Sequence, residues 1–240
     1  MIAPSLAGLR VKLFADGVDQ ASLADVARLP LVAGFTTNPT LMRKAGIADY
    51  RACAQSLLRL LPGRPISFGV ISDDCAAMER QAHEIASWGP HVYVKIPVVT
   101  TQGEETHALT RRLAAAGLRV NVTAVMTLAQ VRDAADALAQ SPASYVSVFA
   151  GRIADTGRDP VPLMAAAVEL LQPYPHLELI WASPRELLNV FQADAVGCQV
   201  ITLTPDLLRK LTLVGKDLTQ YSIETARMFH EDAISAGYSL

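Results

Sequence analysis

The sequence predicts an α/β fold, a single (β/α)8 TIM barrel with a C-terminal helical tail. Three observations predict it. Strand-like and helix-like segments alternate through eight repeats in about 210 residues, a length typical of this barrel. The chain has 240 residues, 51% of them apolar and only 18% charged, enough to build one large core. Neither G-x-G-x-x-G nor G-x-x-x-x-G-K-[ST] occurs, so an open dinucleotide-binding or P-loop sheet lacks its phosphate signature. No long linker or low-complexity stretch interrupts the alternation. Residues 1–240 therefore read as one domain, with the barrel over about 11–215 and the tail over 216–240.

The elements follow in order. Residues 11–16 form the first expected strand and 21–29 a short helix; 31–37 form the second strand, followed by a helix over 47–61. The third strand covers 66–72, and a helix over 75–88 takes Asp73 or Asp74 as its cap. Strand four is 92–98, between Gly89-Pro90 and Thr100-Thr101-Gln102-Gly103. The helix over 104–116 closes on Gly117, at the usual C-terminal glycine position. Strand five is 119–125 with a helix over 128–140, strand six is 145–150 with a helix over 161–171, and strand seven is 177–182 with a helix over 184–192. Strand eight is 199–203, and Pro205 opens the next helix at a favoured first-turn position. In the tail, Leu218, Tyr221, Ile223, Met228 and Phe229 make an apolar stripe that has to pack on something, either the barrel itself or another subunit.

Composition also excludes function classes. The net charge of −2 gives no footprint for nucleic acid or an anionic membrane surface. Cys53, Cys75 and Cys198 are scattered, with no CxxC pair, as expected in a reducing cytoplasm. The N-terminus has no charged-then-apolar signal pattern, and no apolar run approaches membrane length. The histidines (His83, His91, His107, His176 and His230) fall on expected helices or before strands, without HxH or HExxH spacing, so no metal and no cofactor is expected. Gly-x-Ser-x-Gly is absent, and no Ser/His/Asp constellation is visible.

Lys95 is the most informative residue. It stands inside the apolar run Val92-Tyr93-Val94-Lys95-Ile96-Pro97-Val98. An amine buried there loses hydration, which favours its neutral, nucleophilic form. Either it points outward or pairs with a distant carboxylate, or it attacks a carbonyl to form a Schiff base. Enzymes on this barrel work at the C-terminal ends of the strands. Those ends carry Asp16, then Thr36, Thr37 and Asn38, then Lys95, Asn121 and Thr123, Ser147 and Arg152, and Ser183 and Arg185. A carboxylate beside an amine can take and return a hydroxyl proton. Thr and Asn can hold water or substrate hydroxyls, and two arginines can bind phosphate through charge-assisted hydrogen bonds. Taken singly, each also reads as a turn, cap or rim residue: Asp16-Gly17 as a turn, Asn38-Pro39 as a loop start.

These residues resemble the transaldolases, and most closely the short subgroup that includes fructose-6-phosphate aldolase. The matching stretches are Leu13-Phe14-Ala15-Asp16, Gly34-Phe35-Thr36-Thr37-Asn38-Pro39, Val94-Lys95-Ile96-Pro97, Asn121-Val122-Thr123, Val148-Phe149-Ala150-Gly151-Arg152-Ile153 and Ala182-Ser183-Pro184-Arg185, and the resemblance runs from the first strand through the eighth. The resemblance implies metal-free transfer of a dihydroxyacetone unit between sugar phosphates through a Schiff base on Lys95. Asp16 would act on the hydroxyl proton and Thr123 would hold a water. Asn38 and Asn121 would hold donor hydroxyls or the carbinolamine, with Ser147 and Thr36 beside the donor. Arg152, Ser183 and Arg185 would hold the phosphate. Phe149 resembles the true transaldolases, since the aldolase branch usually carries tyrosine there, and this favours transfer over simple cleavage. The alternatives are fructose-6-phosphate aldolase-type cleavage and a catalytically silent sugar-phosphate-binding barrel. The resemblance further implies a homo-oligomer joined through the tail. One position departs: Gly69 stands where the family usually has glutamate or glutamine. Another group or water substitutes for it, or the glycine makes room for a different substrate, or the protein is a weak relative.

Overall fold

In a computed structural model, which describes residues 5–238, the eight strands close into one parallel barrel in sequence order, with β8 returning to pair with β1. The strands are β1 (Lys12–Asp16), β2 (Val32–Thr36), β3 (Ile66–Gly69), β4 (Val92–Pro97), β5 (Val120–Val125), β6 (Ser144–Val148), β7 (Leu177–Trp181) and β8 (Val200–Leu203). The α-helices are α1 (Gln20–Ala27), α2 (Pro39–Lys44), α3 (Tyr50–Leu60), α4 (Cys75–Ala86), α5 (His107–Ala115), α6 (Leu128–Ala137), α7 (Ala150–Ala154), α8 (Val161–Leu171), α9 (Leu188–Ala195), α10 (Pro205–Arg209) and α11 (Leu218–Ser235). Every strand is covered by helices outside and filled by side chains inside, which is why the strands read as continuous apolar runs rather than alternating ones.

The barrel interior is layered. Alternate residues of a strand share a face, so Lys12, Phe14 and Asp16 all point the same way. At the bottom, Lys12 Nζ pairs with Glu178 at 2.5 Å. Above it, Phe14 meets Tyr145 edge-on at 5.7 Å between centroids, and Tyr93 lies 4.3 Å from Tyr145. Ile180 and Val200 complete this plug. Gly34 is required here, because a Cβ on it would stand 2.6 Å from the Phe14 ring. Four of the five plug residues lie two positions before a polar member of the next layer: Phe14 before Asp16, Tyr93 before Lys95, Tyr145 before Ser147, Val200 before Thr202. The aromatic layer is thus a dry floor, and the chain places its polar groups one layer above it.

Element boundaries differ from the sequence expectation where loops have their own chemistry. The helix expected from residue 104 starts at His107, because Glu105 forms an antiparallel bridge with Val99 around Gly103 (φ 84°). The helix expected from 184 starts at Leu188, and before it the Asn189 side chain accepts from the Arg185 and Glu186 amides. Two short helices, α2 and α7, follow strands directly and were not expected. Asp74, not Asp73, caps α4, accepting from the Ala77 amide at 2.8 Å. Asp73 instead accepts from the Thr101 amide. Gly117 (φ 80°) ends α5 and Pro205 starts α10 as expected. The tail forms α11, yet none of its residues is buried; Leu218 and Phe229 are 79% and 64% exposed. Its apolar stripe does not fold back over the barrel.

Candidate active site

The polar layer above the aromatic floor forms two hydrogen-bonded groups with Lys95 between them. Asp16, last residue of β1, accepts from Thr36 Oγ1 at 2.9 Å and from Asn38 Nδ2 at 3.0 Å. Thr36 Oγ1 also lies 2.7 Å from Thr202 Oγ1 on β8. On the other side, Asn121 Nδ2 donates to Ser67 Oγ at 3.0 Å, and Ser147 Oγ donates to Asn121 Oδ1 at 2.7 Å. Lys95 stands on β4 in register with Gly69 and Asn121. Its Nζ reaches across β3 and donates to the Thr37 carbonyl at 3.0 Å. The amine is therefore held inside the barrel, and the outward-pointing reading of Lys95 is excluded.

Electrostatics follow from burial. Loss of hydration pushes the Lys95 amine below its ordinary pKa of 10.5, and the Asp16 charge opposes that shift. Burial raises the Asp16 carboxyl above 3.8, against the Lys95 charge and the two hydrogen bonds. Both shifts bring the groups toward the range where an amine is nucleophilic and a carboxyl can exchange protons.

Asn38 serves two roles. Its Oδ1 caps α2 by accepting from the Leu41 amide at 2.9 Å, while its Nδ2 holds Asp16. The cap orients the side chain and leaves the amide donor aimed at the carboxylate. The Thr123 hydroxyl, one inward position above Asn121, is buried without a hydrogen-bond partner among the described residues. Such a group is costly unless water or a ligand satisfies it.

The arginines gather on the β6–β7 side. Arg152 lies over the Phe149 ring at 5.8 Å. Arg185 Nε donates to Asp155 Oδ1 at 2.9 Å, in a pair that is half exposed and so adds little stability. Gly151 lets these segments meet: a Cβ there would lie 1.6 Å from the Ser183 carbonyl and 3.2 Å from Arg185 Nε. Asp155, Ser67 and Thr202 were not singled out in the sequence. Thr202 gave the same signal as Lys95, a polar residue in an apolar strand, Val200–Leu203. Ser67 shared the face of Gly69. Asp155 gave no signal, because its role appears only when β6 and β7 lie side by side.

The family model described as Transaldolase/Fructose-6-phosphate aldolase matches residues 13–239. The chain belongs to this family. Similar transaldolase-family proteins include one from Dehalococcoides mccartyi named "Probable transaldolase", 35% identical over 202 residues, covering 84% of this chain and 90% of the relative. One of the same name from Thermoanaerobacter sp. is 31% identical over 231 residues, covering 96% and 100%. A third, from Streptococcus agalactiae serotype V, is 33% identical over 216 residues, covering 90% and 95%. Among solved structures, a 2,3-dimethylmalate lyase of the PEP mutase/isocitrate lyase superfamily aligns with a TM-score of 0.55 over 97% of this chain and 86% of its own. At 15% identity that likeness shows a shared fold alone. Transaldolase-family membership covers the strands that carry Asp16, Lys95, Asn121 and Ser147. No helix of the described residues is long and apolar enough to cross a membrane.

Proposed function

We propose that this transaldolase-family enzyme transfers a dihydroxyacetone unit between sugar phosphates through a Schiff base on Lys95. The observation that carries the reading is the Lys95 amine, dehydrated, fixed on the Thr37 carbonyl and facing the Asp16 carboxyl. Lys95 attacks the keto carbon of a ketose phosphate, and loss of water gives the iminium. Asp16 takes the proton of the hydroxyl on the carbon beyond the breaking bond. The aldehyde leaves, and the three-carbon enamine stays on Lys95. Attack of the enamine on an acceptor aldehyde reverses these steps, and hydrolysis frees the amine. Asn38 and Asn121 hold donor hydroxyls, and Thr36 and Ser147 support them. Thr123 binds the water that shuttles protons, which supplies the partner its hydroxyl lacks. Phe149 closes the donor site without a hydroxyl of its own.

Borohydride reduction in the presence of fructose 6-phosphate, followed by mass spectrometry, tests this reading. A three-carbon adduct on Lys95 is expected, and an unmodified chain would leave a sugar-phosphate-binding barrel. Product analysis with and without an aldehyde acceptor separates transfer from cleavage.

Arg152, Ser183 and Arg185 are proposed to hold the substrate phosphate, which replaces Asp155 as the anion facing Arg185. Arg185→Ala is expected to raise KM for phosphorylated donors at least about tenfold more than KM for dihydroxyacetone, consistent with loss of a charged hydrogen bond. Equal changes would make Arg185 structural.

The uncovered stripe of α11 is proposed to bind a second copy of this chain. Removal of residues 219–240 is expected to lower the assembly state in light scattering. A full-length chain that is monomeric at micromolar concentration contradicts this.

A further inference from the structure

Gly69 is the one inward position beside Lys95 that carries no side chain. It sits in register with Lys95 across the β3–β4 ladder, so its missing side chain faces the same interior. The backbone does not require glycine there. Gly69 is not in the left-handed region, and a Cβ on it would find only Lys95 Cβ, at an ordinary contact of 4.0 Å. Gly34 and Gly151 differ: a Cβ on either would overlap the Phe14 ring or the Ser183 carbonyl. Nor is the strand slack at this point. The Tyr50 hydroxyl donates to the Gly69 carbonyl at 2.8 Å, and the Val70 amide donates to the Lys95 carbonyl at 3.2 Å. Gln81 Oε1 then accepts from the Ile71 and Ser72 amides. Glycine at the hydrogen-bonded end of β3, where a side chain would fit, leaves a gap that a ligand can approach closely. Two residues on, the loop presents Ile71 with 67% of its surface exposed.

We propose that Gly69 is a specificity-determining position: besides the hydroxymethyl arm of a dihydroxyacetone unit, the space it leaves beside Lys95 admits a ketone arm that is longer and more apolar. This rests on Lys95 forming the Schiff base. The amine adds to the ketone carbon and water departs. One arm carries the hydroxyl-bearing carbon that becomes the enamine, and the other arm occupies the Gly69 space.

The test compares dihydroxyacetone with 1-hydroxy-2-pentanone, whose second arm is a propyl group. Borohydride reduces each imine on Lys95 to a secondary amine, and mass spectrometry follows the rate. In the wild-type protein, 1-hydroxy-2-pentanone is expected to be trapped. Gly69→Leu is expected to lower the trapping rate of the pentanone relative to dihydroxyacetone by about tenfold or more, the discrimination that one or two methylenes provide. Gly69→Ala, whose methyl makes only an ordinary contact, is expected to give a smaller shift in the same direction, and it stands in if the leucine variant does not fold. An unchanged ratio in both variants, or equal loss for both ketones, overturns the proposal while leaving Lys95 chemistry intact. The absence of any adduct with either ketone in the wild-type protein overturns the Schiff-base reading and this inference together.

Discussion

Replacing Lys95 with methionine is expected to abolish both borohydride trapping and turnover. The chain has five lysines, and only Lys95 reaches the polar layer. Lys44, Lys210 and Lys216 lie in or beside helices, and Lys12 is tied to Glu178 below the aromatic floor. None of them can substitute, so turnover should fall to background. An adduct that persists in the Lys95→Met protein would contradict the assignment. The same variant carries a stability signature. The folded-state pKa of Lys95 is depressed, so its contribution is fully present above the unfolded value of 10.5 and is lost as pH falls through the lower folded value. Methionine fills the volume without a charge to dehydrate. The variant should therefore lose less stability than the wild type on acidification from alkaline to neutral pH, measured by thermal unfolding across that range.

Asp16→Asn is expected to lower kcat by about 10² to 10⁴, the usual loss on removing a general acid or base. Its hydrogen bonds make the role distinguishable from a structural one. Asparagine keeps the shape: its Oδ1 can accept from Asn38 Nδ2 while its Nδ2 donates to Thr36 Oγ1, whose hydroxyl then donates to Thr202, so folding should survive. The charge is lost, however, and that charge raises the Lys95 pKa against the larger effect of burial. Without it, the amine becomes neutral at a lower pH. The alkaline-rising limb of the trapping rate should therefore move to lower pH in Asp16→Asn while the maximum rate of carbon–carbon cleavage falls. A variant with reduced turnover and an unmoved pH profile would place Asp16 too far from Lys95 to act on it.

Several of these residues were legible from strand pattern alone. Lys95 and Asp16 stood out because a charge inside or at the end of an apolar strand has few bland explanations. Asn38-Pro39 reads as a loop start, and Asn38 does cap α2, whereas its bond to Asp16 appears only in the structure. The arginines were legible as a pair after strands six and seven. The Asp155 partner of Arg185 was not, since thirty residues and two elements separate them. Ser67 and Thr202 were readable in principle, because each shares an inward face with a position already in view. Each alone is an ordinary strand residue, so neither signals its role by itself.

The eightfold alternation, the order of the strands and the end of the barrel that carries the polar groups are all written in the chain. These follow from local signals: apolar runs, caps, and glycine or proline at element ends, each readable within about ten residues. Which polar groups meet depends on closure of the barrel. Closure of β8 on β1 brings Thr202 to Thr36, the reach of Lys95 across β3 takes its amine to the Thr37 carbonyl, and the spacing of β6 and β7 puts Asp155 on Arg185. The packing around each glycine also leaves open space at Gly69 but none at Gly34 and Gly151. The reason is that a strand fixes the face on which a side chain lies, whereas distances across a barrel depend on register, tilt and closure, which belong to all eight strands at once.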